Sequence, residues 1–254
     1  MQNLINQFLE QILGSSQIAK ATITETENGL YDIEYHTNWA DDAEYAIFQF
    51  VAQAEITSKV HSLTITSDDE GINGTQYWDL SYLLQNNTLF PFLSKFILPL
   101  NTQNPTNHNR IIVTYEDSYE ENGALGKLLD ACPALEVLHT PSAPNASFFE
   151  RTTHSLKNLT IQTGFEGQHF ITNLAQSTCF QSLQKLDFTE YAETYMDDFL
   201  EKCLSFEEYK HLLLSSNLPN LKNITLRKTQ LNEQEKAMLK EIAQEKDIHL
   251  LLID

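Results

Sequence analysis

Leu218-Pro-Asn-Leu221-Lys-Asn-Ile224-Thr-Leu226-Arg-Lys-Thr229-Gln-Leu231 is the stretch that decides how this chain reads. It holds an L-x-x-L-x-L unit behind a Pro-x-Leu turn. The unit returns as Leu135-Glu-Val-Leu138-His-Thr140, Leu156-Lys-Asn-Leu159-Thr-Ile161 and Leu183-Gln-Lys-Leu186-Asp-Phe188. Upstream, Val60-His-Ser-Leu63-Thr-Ile65 and Leu93-Ser-Lys-Phe96-Ile-Leu98 fit it with one apolar residue exchanged for another. Arg110-Ile-Ile-Val113 and His249-Leu-Leu-Leu252 read as degenerate strands of the same kind. Apolar residues at period two predict short strands with one buried face.

The spacing between units carries the next step. From Leu138 to Leu159 is 21 residues, from Leu159 to Leu186 is 27, and from Leu186 to Ile224 is 38. The first two match repeats of about 20–29 residues, and the third needs an insertion. Helical spacing appears between the strands, in Gly126–Cys132, Phe170–Ala175 and Phe206–Leu213. Asn232-Glu-Gln-Glu235 reads as a capping box opening a helix over Gln234–Lys246. Strand then helix at short period predicts an α/β fold, with a parallel sheet on one side and helices on the other.

Residues 125–254 resemble a leucine-rich-repeat protein of the ribonuclease-inhibitor-like, irregular bacterial type. The phrases Cys132-Pro-Ala-Leu135-Glu-Val-Leu138 and Leu218–Leu231 carry the likeness. The resemblance implies a solenoid, its sheet concave and its helices convex, that binds protein. The sequence departs from the family at the Asn position, which holds Ala143, Gly164, Tyr191 and Thr229. The family's ladder of buried Asn is therefore not expected. The same spacing also fits a doubly wound sheet. Units without phosphate-binding glycine loops, and Pro-x-Leu turns ahead of strands, favour the solenoid.

Residues 1–57 lack the repeat. Leu4, Ile5, Phe8, Leu9, Ile12 and Leu13 form one helical stripe, and Asn28-Gly29 predicts a hairpin turn between strands at Ala19–Ile23 and Tyr31–Tyr35. Asp41–Glu44 reads as the cap of a second helix bearing Ile47, Phe48 and Val51. An α-β-β-α cap (1–57) covering the open end of a solenoid (58–254) is the expected division, with an independent domain as the alternative.

Charge narrows the function classes. Lys plus Arg number 16 against 35 Asp plus Glu, a formal net charge of −19. That excess argues against nucleic acid and against anionic lipid, both of which attract basic surfaces. No apolar run approaches the roughly 20 residues that span a bilayer, and the first residues lack a basic secretory n-region, so a cytoplasmic protein is expected. Cys132, Cys179 and Cys203 are too few and too widely spaced for a disulfide framework.

No nucleophile elbow, P-loop, dinucleotide fingerprint or H-E-x-x-H occurs, and no two of the eight His are three or four residues apart. No catalytic set, metal or cofactor is expected. Acidic, aromatic loops follow the strands instead. They hold Asp68 and Asp69; Tyr115, Glu116, Asp117, Tyr119, Glu120 and Glu121; Glu166; and Glu190, Tyr191, Glu193, Tyr195, Asp197 and Asp198. Side by side they would form an anionic rim, either a docking edge or a solubilising surface. The concave set would be Thr64, Ile112, His139, Thr160, Gln162, Asp187, Thr189, Thr225 and Arg227, in which His139 either reaches a ligand or is a plain surface residue. The expected function is a non-enzymatic protein-binding module, an inhibitor or immunity-type protein neutralising a basic partner such as a toxin. The alternative is a general scaffold binding through its concave face.

Overall fold

The structure, a computed structural model, describes residues 2–15, 19–37, 43–67, 74–100, 108–114, 120–164, 167–190 and 197–254. Its N-terminal elements are α1 (Gln2–Ser15), β1 (Lys20–Glu25), β2 (Tyr31–Thr37), α2 (Ala43–Val51), α3 (Ala54–Thr57) and β3 (Val60–Ser67). β4 (Gly74–Asp79), β5 (Lys95–Ile97), β6 (His108–Val113), α4 (Ala124–Ala131) and β7 (Val137–Thr140) follow. The chain then runs through β8 (Asn158–Gln162), α5 (Phe170–Gln176), β9 (Lys185–Thr189), α6 (Phe199–Lys202), α7 (Phe206–Leu214), β10 (Asn223–Arg227), α8 (Glu233–Glu245) and β11 (His249–Ile253).

Nine strands form one sheet in the order β1-β2-β3-β5-β7-β8-β9-β10-β11. Only β1 is antiparallel, closed onto β2 by a turn in which Gly29 takes φ 71°, where a side chain would be strained. From β2 onward every neighbour is parallel. In register across the sheet lie Ile33, Leu63, Phe96, Leu138, Leu159, Leu186, Ile224 and Leu250, all buried except the half-buried Leu250. Leu186 is fully buried within this row. Truncating such a residue to Ala costs about 2–5 kcal/mol.

The turn before each strand repeats as well. Leu93, Leu135, Leu183 and Leu221 donate their amides to the carbonyls of Phe90, Cys132, Phe180 and Leu218. Pro stands second in three of these turns, where its fixed φ suits a type I turn. One residue further on, the amides pass from turn to turn. Ser94 donates to His61, Glu136 to Ser94, Lys157 to Glu136, Gln184 to Lys157, Lys222 to Gln184 and His249 to Lys222, all at 2.8–3.0 Å. Each turn thus satisfies backbone groups of its neighbour.

The helices follow the strands in order. α4 packs on the 3-10 turn Ala146–Phe149, that turn on α5, α5 on α7 and α7 on α8. Capping boxes open α7 (Ser205 with Glu208) and α8 (Asn232 with Glu235). At the other end, Ile5 and Phe8 of α1 and Phe48 of α2 belong to the same buried cluster as Ile33 and Tyr35. The cap expected at Asp41–Glu44 lies outside the described side chains.

One strand leaves the array. β6, read from Arg110–Val113 as a further repeat strand, pairs only with β4 in a separate two-stranded sheet. Ile112 is therefore no concave residue: it is fully buried, and its amide donates to Ser142 Oγ just beyond β7. The buried Arg110 guanidinium donates to the Leu100 carbonyl and to Ser67 Oγ, which fastens β6 near the far ends of β5 and β3. Trp78 of β4 is buried too. Among the described residues no helix is long and apolar enough to cross a membrane.

Candidate functional site

Alternation turns three registered rows of side chains away from the helices. The first runs Asp32, Ser62, Lys95, Val137, Asn158, Lys185, Asn223, His249. The second runs Glu34, Thr64, Ile97, His139, Thr160, Asp187, Thr225, Leu251. A shorter third row holds Gln162, Thr189, Arg227 and Ile253 at one end and His36 and Thr66 at the other. Most of these residues are half-buried or exposed.

The charge of this face departs from that of the chain. It carries Lys20, Lys95, Lys185 and Arg227 against Asp32, Glu34 and Asp187. A chain with more than twice as many acids as bases therefore has a sheet face close to neutral. Asp187 and Arg227 form a bidentate pair, Nε to Oδ1 at 2.7 Å and Nη2 to Oδ2 at 2.9 Å. His139 is held below the ordinary imidazole range by burial first and then by the charges of Lys95 and Lys185, with Asp187 opposing.

At the β2 end a bulge makes His61 the extra residue between Val60 and Ser62. Its Nδ1 meets Asp32 Oδ1 at 2.9 Å and its Nε2 meets Ser94 Oγ at 3.0 Å. Ser62 Oγ also donates to Asp32, at 2.6 Å. Burial pushes the Asp32 carboxyl up, but the bonds from Ser62 and His61 and the nearby charges of His61 and Lys95 leave it lowered overall. Carboxylate, imidazole and hydroxyl stand in the order of a nucleophilic triad. Yet the Ser94 amide is donated to the His61 carbonyl, and the Ser94 carbonyl takes the amides of Glu136 and Val137. The backbone beside the hydroxyl is spent on the turn ladder, so the relay ties β2, β3 and the turn before β5 together.

The expected rim fares differently. Asp68, Asp69, Tyr115, Glu116, Asp117, Tyr119, Glu166, Tyr191, Glu193 and Tyr195 lie outside the described residues. His139 and Asp187 lie on the sheet face, together in the second row. Asp197 is exposed, and Asp198 Oδ2 sits 3.4 Å from Lys202 Nζ. Glu190 is not a rim residue. It is 2% exposed, accepts from Tyr209 Oη at 2.7 Å and from the Leu204 amide, and burial raises its pKa to about 7. Glu121 turns inward as well, accepting the amides of Leu125 at the start of α4 and of Asn145. Desolvation raises its pKa despite these bonds.

Sequence reasoning missed Asp32, Lys95 and Lys185 on the face. Period-two alternation was signal enough, since Lys185 stands two residues before Asp187. The cysteines carry no activated thiol: burial raises Cys132 and Cys179, and Cys203 is pushed up to about 11. Among the described residues no three His, Cys, Asp or Glu are placed to hold a metal ion. No protein-family model matches the chain, and no curated protein matches it.

Proposed function

We propose that the chain is a leucine-rich-repeat solenoid of the ribonuclease-inhibitor-like type that works in the cytoplasm as a non-enzymatic protein-binding module, and that it docks its partner on the open face of the sheet. One observation carries this reading. Eight parallel strands present mostly polar, partly exposed side chains in registered rows, while the alternate residues of these strands turn into the core. A broad, rigid, nearly neutral face suits protein contact because it costs little to desolvate and little to order. The described rim acids support the rim less well, because Glu190 is buried and Asp198 is already paired.

The second reading is an inhibitor or immunity-type protein that neutralises a basic partner such as a toxin. The net charge of −19 favours it, while the face itself carries Asp32, Glu34 and Asp187. Such a charge speeds encounter with a cation, and the face then sets the off-rate. A photo-crosslinking residue placed at Thr160 on the face, and separately at Asp197 on the rim, tests the docking site in living cells. A defined protein adduct at 160 is the expected result. Adducts at 197 alone would move docking to the rim.

A further inference from the structure

The middle of the open face holds two cations that form no ion pair among the described residues. Lys95 on β5 and Lys185 on β9 lie in one registered row with Val137 and Asn158 between them. Neither has a carboxylate at ion-pair distance, whereas Arg151, Lys157, Lys202, Lys222, Arg227 and Lys236 each have one. His139, in the adjacent row, feels both lysines. In a chain so rich in acids, a pair of cations on the open sheet face is where an anion is best held.

We propose that this island receives an extended protein segment carrying two carboxylates four residues apart. The inference rests on the open face being the docking surface and adds the chemistry of what docks. Lys95 and Lys185 are three strands apart, and strands are spaced about 4.8 Å, so their backbones stand roughly 14 Å apart. An extended segment laid across the strands advances about 3.3 Å per residue and turns residues i, i+2 and i+4 to the same side. Carboxylates at i and i+4 then meet the two lysines. The residue at i+2 rests on Val137 and Asn158, a site for a small or apolar side chain. A helix brings i and i+4 only about 6 Å apart and cannot span the pair. The bidentate bond from Arg227 occupies Asp187, which would otherwise repel the carboxylate next to Lys185. The field of a chain at −19 repels a uniform polyanion, so the segment is acidic only locally.

The test selects a displayed library of random dodecapeptides on the whole chain. Labelled winners are then measured by fluorescence anisotropy against the wild type, Lys95→Glu/Lys185→Glu and Thr160→Trp. Lys95→Gln/Lys185→Gln is the milder second variant, and circular dichroism checks each fold. The expected winners carry Asp or Glu pairs at i and i+4. They lose about tenfold in affinity to the charge-reversed protein, and less to the Gln variant. Winners blocked by Thr160→Trp but indifferent to both lysine variants overturn the carboxylate inference and leave the docking face standing. Winners indifferent to all three variants, or no winners at all, overturn both. A 20-residue oligothymidylate that binds through the two lysines where acidic peptides do not would give the island to nucleic acid and overturn the proposal.

Discussion

Glu190 and Tyr209 meet carboxylate to hydroxyl at 2.7 Å in the buried seam between β9 and α7. Glu190 Oε1 also accepts the Leu204 amide, so one side chain anchors both α7 and the segment that leads into it. Burial raises the acid to about 7 and drives the Tyr209 hydroxyl well above its usual range. The acid is therefore half-protonated near neutrality and charged only at a cost.

That cost sets a pH dependence of stability. The folded-state pKa of about 7 lies above the ordinary value of 4.5. Below pH 4.5 both states hold the proton. Between 4.5 and 7 the unfolded chain loses it first, so this group's contribution declines as pH rises and is gone above 7. The loss amounts to roughly 3 kcal/mol across that window. Urea unfolding at pH 5, 6, 7 and 8 should show this decline in the wild type and a flatter profile in Glu190→Gln. The Gln carbonyl can still accept from Leu204 while its amide donates to Tyr209. Equal slopes in the two proteins would show that Glu190 ionises freely.

Glu190 also marks the limit of what the sequence tells. In Glu190-Tyr-Ala-Glu193 it looks like any loop acid, because its burial depends on α7, which the chain reaches more than a dozen residues later. Glu121 was opaque for the same reason, since Asn145 arrives from another repeat. Local features were legible. The alternation at Leu186 and Ile224, the Pro turns and the Asn232–Glu235 cap each depend on a few adjacent residues. Ile111-Ile112-Val113 shows the reverse, because a period-two apolar run fits a second layer as well as the main sheet. The bonds from His61 to Asp32 and Ser94 cross 29 and 33 residues, beyond any motif.

Replacing Glu121 tests its role as an internal acceptor. Glu121→Ala strands the amides of Leu125 and Asn145 in a site that is 4% exposed. Buried donors left without acceptors cost about 1–3 kcal/mol each. A loss of about 2–4 kcal/mol is expected, or roughly 5–15 °C in melting temperature for a domain of this size. Glu121→Gln keeps one acceptor and should lose less. A melting point unmoved by the Ala change would mean that water replaces the carboxylate.

Gly126 lies inside α4, where Ala would ordinarily stabilise by about 1 kcal/mol. Here an added Cβ would stand 2.6 Å from Ser147 Oγ and 3.3 Å from the Ser147 backbone. The hydroxyl is itself held by Asn145 at 2.7 Å, and the Gly126 carbonyl accepts from Arg151, so neither side yields freely. Gly126→Ala should lower the denaturation midpoint, by about 1–3 kcal/mol of stability. Gly126→Ala with Ser147→Gly should recover most of the loss. Failure of that rescue would place the strain elsewhere.

Arg227 and Asp187 offer a test of the face without a partner. Both nitrogens of the guanidinium edge are engaged, and Asp187 is only 15% exposed while Arg227 is 39% exposed. A bidentate pair so placed holds its geometry better than a simple surface bridge. A double-mutant cycle of Asp187→Asn and Arg227→Gln, measured by urea unfolding, should return a coupling of about 1 kcal/mol. Lys at 227 should restore little of it, because a single ammonium cannot reproduce the fork. Arg227→Gln also frees the Asp187 charge beside Lys185, so acidic peptides selected on the wild type should bind this variant several-fold more weakly. Undiminished binding would mean that Asp187 does not face the occupant of the island.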